Sequence, residues 1–352
     1  MKRPARIGLT MGDPAGIGPE ILLQACQQLA PRVASGEIEL IAIGTLSIFE
    51  VVAKELALDV RFVRRSGSCA VWPDVAVVEA TAAHEAISVG RVSAEAGRMA
   101  YAAVEMAARM ALDNDIDGMV TAPFNKDALN LAGYHYAGHT ELLAHLTGRS
   151  GTVMMLAHGD LRVSHVSTHV ALSKVPSLVT PERVRRVIDL TCDALRAFGI
   201  VRPRIAVAAL NPHAGESGLF GTEDDDVLVP VIASYRRADA DVSGPHPGDT
   251  IFVKGAAGQF DAIIAMYHDQ GHIPVKLLGF RIDRDTGMWT ELGGINVTLG
   301  LPIIRTSVDH GTAFDIARKG IANPQSMVEA VEYAVRLSAG RKNQIEKAVG
   351  EK

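Results

Sequence analysis

The sequence predicts an α/β protein with a largely parallel sheet, folded as two lobes. Short apolar runs alternate with amphipathic helical stretches, and most runs end in glycine, proline or small polar residues, as parallel strands feeding helices do. The chain has 352 residues, more than one hydrophobic core usually organises.

The elements follow in order. Ile7 to Met11 is an apolar run of strand length, Gly12 to Pro19 is a turn, and a helix is expected from about Glu20 to Leu29, which makes a β-loop-α unit. Ile38 to Ile43 predicts a second strand. Ala94 to Leu112 is alanine-rich with apolar residues at helical spacing, and Gly118 to Ala122 supplies the next strand. Later strands are expected at Val153 to Leu156, Leu161 to Val166, Ile205 to Ala209, Ala262 to Met266 and Gly294 to Thr298. Helices are expected near Glu141 to Leu146, Pro181 to Phe198, Val227 to Arg237 and Ser326 to Leu337. Thr180 before Pro181 reads as an N-cap followed by proline at the first helical position. With no repeat, low-complexity tract or linker, residues 1–352 are expected to form one unit of two interleaved lobes, the chain crossing between them more than once.

Composition narrows the function classes. A hydrophobic share of 48% with 21% charged residues is that of a packed soluble protein, and 5% aromatics implies a core of Ala, Val, Ile and Leu. A net charge of -5 argues against a general nucleic-acid binder, which needs a concentrated basic surface. The pairs Arg64-Arg65, Arg185-Arg186 and Arg236-Arg237 read as solvated faces. Cys26, Cys69 and Cys192 are odd in number and share no C-x-x-C spacing, so a reducing cytoplasm is expected. The segment Met1 to Thr10 is too short an apolar run for a signal sequence or a membrane span, and no membrane partner is expected.

Three histidines stand in loop-like contexts after apolar runs: His169 in V-S-T-H, His213 in L-N-P-H-A-G-E and His268 in A-M-Y-H-D-Q-G-H. A single histidine in such a place is as commonly a packed turn residue as a ligand. The repeated design, a strand ending in small residues and then histidine, points to a divalent-metal site assembled by folding, with three ligands leaving a coordination position open. G-D-P-A-G-I-G-P-E does not have the G-x-G-x-x-G spacing of a dinucleotide fingerprint, and reads either as a plain strand-to-helix turn or as a loop shaping a cleft. Lys126, in T-A-P-F-N-K, is either an anion-binding or a surface lysine. In G-H-T-E, His139 and Thr140 stand at a helix start that can receive phosphate or carboxylate; capping alone accounts for Thr140 but not for His139.

The segment His310 to Pro324, H-G-T-A-F-D-I-A-R-K-G-I-A-N-P, resembles the loop of isocitrate and isopropylmalate dehydrogenases that grips the adenosine half of a nicotinamide cofactor. From about Ile7 to Ala339 the strings M-G-D-P-A-G-I-G-P-E, T-A-P-F-N-K, G-H-T-E-L-L, S-T-H-V-A-L, L-N-P-H-A-G-E-S-G-L-F-G-T-E, G-P-H-P-G-D-T-I-F, A-M-Y-H-D-Q-G-H-I-P-V-K and G-I-N-V-T-L-G-L-P-I-I-R-T-S-V-D-H-G-T-A resemble the 4-hydroxythreonine-4-phosphate dehydrogenase family of vitamin B6 biosynthesis.

The resemblance implies an isocitrate/isopropylmalate dehydrogenase-like fold with the active site in the cleft between lobes. It implies His169, His213 and His268 as ligands of one divalent metal, zinc first, with magnesium or cobalt as alternatives. It also implies a homodimer with shared sites, His268 facing the other two across the interface. Substrate contacts by the same resemblance are His139, Thr140, Lys276, Asn296 and Arg305, and cofactor contacts are Asp309, His310, Gly311, Thr312 and Asn323, for NAD or NADP. Asp249 and Asp269 are candidates for general base or for orienting a ligand histidine, and Lys126 for a catalytic cation.

The implied reaction is oxidation of 4-phosphohydroxy-L-threonine to 2-amino-3-oxo-4-phosphooxybutanoate, which decarboxylates to 3-amino-2-oxopropyl phosphate. Two features widen the substrate range. R-I-D-R-D-T-G-M-W-T-E-L-G, between Lys276 and Asn296, adds roughly ten residues to the family pattern and is expected to sit over the substrate pocket, with Met288 and Trp289 buried against substrate or a partner subunit. G-H-I-P-V-K-L-L-G-F resembles a side branch acting on D-threonate or D-erythronate 4-phosphate, and a further relative oxidises the dihydrodiol of terephthalate. A metal-dependent hydrolase or a structural zinc protein would use the histidines without a cofactor loop, which the 310–324 segment argues against.

Overall fold

The computed structural model describes residues 3–350 except 66–68, 84–85, 236–238, 286 and 288, with backbone alone at 290, 291 and 342–350. Arg236, Arg237 and Met288, named above, lie outside the described residues or form part of those gaps. The chain divides into two compact units, Met1–Ser150 with Leu301–Ala339, and Gly151–Gly300 with Gly340–Lys352.

The first unit carries strands β1 (Ala5–Thr10), β2 (Ile38–Gly44), β3 (Arg61–Arg64), β4 (Asp74–Glu79) and β5 (Gly118–Thr121). The second carries β6 (Val153–His158), β7 (Leu161–His165), β8 (Arg204–Ala208), β9 (Asp241–His246), β10 (Ala262–Ala265), β11 (Phe280–Ile282), β12 (Trp289–Leu292) and β13 (Ile295–Leu299). The last strand, β14 (Arg305–Val308), returns to the first unit.

In the first unit the order is β3-β4-β2-β1-β5-β14, with every pair parallel. All seven residues of β2 are buried, as a strand covered on both faces requires. The helix Ala94–Leu112 starts at Ser93, whose Oγ accepts from the Ala96 N–H at 3.2 Å, and buries Met99, Ala103, Val104, Ala107 and Ala108 on one face. Its Val104, Ala107 and Met110 join Ile41, Ile43, Met119, Leu142, Leu143 and Ile303 in the core. A Cβ on Gly97 would stand 2.0 Å from the Ala128 carbonyl oxygen, so only glycine lets the helix Lys126–Leu131 pass this close.

In the second unit the order is β13-β6-β7-β10-β8-β9. β7, β10, β8 and β9 are mutually parallel, whereas β6 runs antiparallel to both β7 and β13. The sequence expectation of a largely parallel sheet holds with this local exception. Only Gly159 and Asp160 separate β6 from β7, and so short a connection makes a hairpin rather than a crossover. Thr180 caps the helix Pro181–Ala197 by accepting from Arg183 N–H at 3.3 Å, as expected. The helix expected at Val227 to Arg237 is instead a π-turn at Asp224–Leu228 followed by a short helix, Val229–Ser234.

Candidate active site

In parallel sheets the loops leaving the C-terminal strand ends gather on one edge, and ligands bind there. In the first unit these are the loop after β1 (Met11–Ile17), the loop after β5 (Ala122–Asn125) and the long loop after β14 (Asp309–Pro324). β1 sends its successor β2 to one side while β5 lies on the other, so the order reverses between β1 and β5. Asp13 sits at that crevice. It is fully buried, its Oδ1 accepts from Ala15 N–H at 2.8 Å, its carboxylate also takes the Asn125 N–H, and its Oδ2 has no partner. Burial pushes the Asp13 carboxyl up to about 6.

Glu20 is the second acid of this segment and is likewise fully buried. Its Oε1 accepts from Ala322 N–H and its Oε2 from Arg318 N–H, both at 3.1 Å. Burial raises the Glu20 carboxyl, and the backbone N–H groups of Ala322 and Arg318 partly offset that rise. Ile17 N–H donates to Thr312 carbonyl oxygen at 3.0 Å, and a Cβ on Gly16 would stand 2.6 Å from the same atom. The G-D-P-A-G-I-G-P-E loop is therefore a seat for the 309–324 loop.

The expected anion contacts of this unit occupy distinct settings. Arg305 is buried in β14, donates from Nε and Nη2 to Thr121 Oγ1 at 3.2 and 2.7 Å, and is lowered to about 9 by burial. His139 stacks on Phe124 with ring centres 3.7 Å apart, and its buried Nε2 has no partner. Burial, then the neighbouring Arg305 charge, holds His139 well below the ordinary histidine range, so its ring is neutral at pH 7. His139 opens the helix His139–Thr147 behind Gly138, which makes no side-chain cap. Thr140 lies inside the first turn, so capping does not account for it, contrary to the sequence expectation. Asn125 caps the preceding helix, Lys126–Leu131, through Ala128 N–H at 2.9 Å, and Lys126 is exposed at its first turn. Asp309 N–H donates to Ser326 Oγ at 3.3 Å, and Gly311 is exposed, with open space where a Cβ would lie.

In the second unit β7, β8, β9 and β10 are followed by V-S-T-H169, A-L-N-P-H213, P-G-D249 and M-Y-H268. All four candidate residues thus follow the C-terminal ends of parallel strands. His169 and His268 have ring centres 5.6 Å apart. An ion about 2.1 Å from a nitrogen of each ring would hold two centres within roughly 6 Å, so this pair fits one ion. His268 Nδ1 is bound to Asp269 Oδ1 at 2.7 Å, which leaves Nε2 as the ligating atom.

His213 is not gathered with them. It is exposed, faces Phe220 with ring centres 6.2 Å apart, and lines a pocket of about 520 Å³ with Asn211, Asp249, Tyr267, Asp269 and Gln270. Among the described residues no three His, Cys, Asp or Glu side chains stand close enough to hold a metal ion. Within this chain His268 and His169 follow the adjacent strands β10 and β7 and their rings meet.

His213 is held in a strained loop. His213, Ala214, Glu216 and Ser217 all have positive φ, between 42° and 57°, and such residues persist only where the surroundings over-determine them. Just before this run Asp224, fully buried, accepts from Leu210 N–H at 2.8 Å and Asn211 N–H at 3.0 Å. Sequence reasoning missed Asp13, Glu20 and Asp224. The available signal was an acid set among glycine- and proline-rich residues, where backbone N–H groups lack helical partners.

The remaining expected residues are dispersed within the second unit. Lys276 places its Nζ 5.0 Å from the Phe280 ring centre. Asn296 lies in β13 opposite Leu156, and its buried Oδ1 has no partner. The inserted stretch pairs as β11 and β12, and Trp289 is 56% exposed in the single chain with its ring edge against Phe280.

Fold and loops define an α/β protein that carries histidines, carboxylates and cations at the strand ends where parallel sheets bind ligands. Over residues 35–334 the chain matches the family described as Pyridoxal phosphate biosynthetic protein PdxA, and it belongs to that family. It is 59% identical over 334 residues to a protein of Bradyrhizobium diazoefficiens provisionally named D-threonate 4-phosphate dehydrogenase, covering 95% of this chain and 97% of the relative. It is 42% identical over 334 residues to the 4-hydroxythreonine-4-phosphate dehydrogenase of Beijerinckia indica, covering 94% of each. The solved 4-hydroxythreonine-4-phosphate dehydrogenase of Klebsiella pneumoniae matches with a TM-score of 0.80 at 39% identity, over 95% of this chain and 99% of that one. The chain is accordingly a dehydrogenase, and no helix among the described residues is long and apolar enough to cross a membrane.

Proposed function

We propose that this chain is a cytoplasmic, divalent-metal-dependent, NAD(P)-linked dehydrogenase. It oxidises the hydroxyl β to the carboxylate of a four-carbon 4-phosphorylated hydroxy acid, and the β-keto acid then loses carbon dioxide. The observation that carries the reading is the arrangement of His169, His213, His268 and Asp249 after the C-terminal ends of four parallel strands, with Asp269 bonded to His268. When bound, the metal supplies Lewis acidity toward the hydroxyl oxygen and the cofactor supplies the hydride acceptor.

The chain's own residues divide the remaining work. Asp269 fixes the His268 imidazole through Nδ1, and that engagement leaves Asp249, exposed in the same pocket, to take the hydroxyl proton. Arg305 and Lys276 neutralise carboxylate and phosphate, and Lys126 adds a mobile cation. His139 offers a neutral nitrogen with its hydrogen-bonding capacity unused, beside Thr140 at a helix start, and Asn296 offers a second such atom. Asp309, His310, Gly311, Thr312 and Asn323 are the proposed cofactor contacts.

D-Threonate 4-phosphate is the favoured substrate, supported by 59% identity to the relative of that provisional name against 42% to the hydroxythreonine enzyme. Its oxidation and decarboxylation give a three-carbon phosphorylated hydroxyketone. The second reading, 4-phosphohydroxy-L-threonine, is supported by the close structural match to the Klebsiella enzyme. A homodimer completes the proposal. Val253, Ile273 and Leu277, at 71%, 62% and 79% exposure, line the His213 pocket, and so apolar a rim favours cover by a second copy that brings His213 to the partner's His169 and His268.

The test is a panel of D-threonate, D-erythronate and hydroxythreonine 4-phosphates and an aromatic dihydrodiol acid, assayed at 340 nm with NAD and NADP before and after chelation. The highest kcat/KM is expected on D-threonate 4-phosphate, abolished by chelation and restored by a divalent ion. Absence of reduction with every substrate sinks the reading, and turnover that ignores chelation sinks its metal half.

A further inference from the structure

The turn Arg318–Ala322 holds its backbone in an unusual way. Arg318 has φ of +64° and Gly320 of +71°, and successive N–H groups in such turns converge into an anion-binding concavity. The anion in this concavity is the chain's own. Glu20, fully buried and about three hundred residues away in sequence, accepts from Arg318 N–H and Ala322 N–H at 3.1 Å, and also from Gly320 N–H. The Arg318 side chain is engaged in the same direction, donating from Nη1 to Glu55 Oε2 at 2.8 Å and from Nη2 to Pro14 carbonyl oxygen at 3.1 Å. Thr312 is tied to the same segment through Ile17 N–H.

We infer that Glu20 is a positioning residue for nicotinamide-cofactor binding: its carboxylate fills the Arg318–Ala322 concavity and so pre-forms the 309–323 loop before cofactor arrives. The inference rests on the proposed cofactor role of that loop. Because the concavity is already filled, a cofactor phosphate cannot use it, and Glu20 acts by setting the loop's shape rather than by touching the cofactor. A loop ordered in advance loses less conformational freedom on binding, which appears as affinity.

Glutamine at position 20 keeps the shape but turns an N–H₂ toward backbone donors, while aspartate falls one methylene short. Loss of charged-acceptor hydrogen bonds of this kind corresponds to about 10- to 100-fold in affinity. Direct titration of the protein with NAD and with NADP, without substrate, is expected to give that weakening in Glu20→Gln. Hydrogen exchange at Arg318, Gly320 and Ala322 should accelerate in the variant while exchange in β2 and β5 stays unchanged, a pattern that general destabilisation would not produce. Asn323→Ala serves as the control for the loop's role. Cofactor binding like wild type in Glu20→Gln, with weakening in Asn323→Ala, overturns the inference alone; unchanged binding in both overturns the cofactor reading and the inference with it. Should Glu20→Gln fail to fold, the wild-type protein still decides, because the same three amides must be protected without cofactor, and free exchange there refutes pre-formation.

Discussion

Replacing Asp13 with asparagine should stabilise the protein, and by more as pH rises. Asp13 is fully buried, its Oδ2 has no partner, and burial pushes its carboxyl from 3.8 to about 6. A folded-state value above the unfolded one means that the native state holds the proton more tightly, so this group's contribution is fully present below about 3.8 and is lost as pH rises through about 6. At 1.36 kcal/mol per pH unit, the full loss is about 3 kcal/mol by pH 8, and about half of it has already occurred at pH 5. Asparagine is neutral throughout and keeps an oxygen for the Ala15 and Asn125 N–H groups, while its amide nitrogen in the place of Oδ2 adds a pH-independent offset. Urea unfolding of wild type and Asp13→Asn from pH 5 to pH 8, referenced to pH 5, should therefore give a gap that widens by about 1.5 kcal/mol in favour of the variant. A gap constant across that window would mean that the Asp13 carboxyl titrates like an exposed one, and the claim of a strained buried acid at the crevice would fail.

Two further outcomes follow from the second unit. Co-expressing an inactive His169→Ala chain with an inactive His213→Ala chain should restore activity in heterodimers, because one of the two shared sites regains all three ligands; a His169→Ala with His268→Ala pairing should restore none, since those two rings sit 5.6 Å apart in one chain. The reverse result would return His268 to the far side of the interface. Replacing residues 281–292 with a short glycine turn should shift relative kcat/KM across the substrate panel, because Trp289 is exposed at 56% and free to meet substrate or a second copy. Unchanged preference with metal content and dimer intact would make the hairpin a bystander.

The fold was legible where an apolar run or a helical period is long, and illegible where strands are short or carry charge. β2 is a continuous apolar run because both faces are covered, and the helix Ala94–Leu112 announces itself by period. β3 and β9 escaped notice as outer strands, where charges or a Gly-Pro step are tolerated because one row of backbone groups needs no partner; β4 and β14 escaped it because each is short and opens on a charged residue. The site divides along a similar line. Histidines in loops were readable as chemistry, but Asp13, Glu20 and Asp224 were not, because their partners are backbone N–H groups, and a backbone donor leaves no trace in residue identity.

The same limit hides which histidines meet within one chain. The spacing of three histidines along the chain carries no information about strand order, and it is the order β7-β10-β8 that makes His169 and His268 neighbours. β8 is also adjacent to β10, so adjacency alone would have brought His213 in as well. His213 instead opens a run of left-handed residues that reaches Ser217, just after the two N–H groups that Asp224 accepts. Strain of this kind is kept at a loop whose histidine joins no three-residue metal group among the described residues, so the conformation is fixed by the loop itself rather than by a ligand set within this chain.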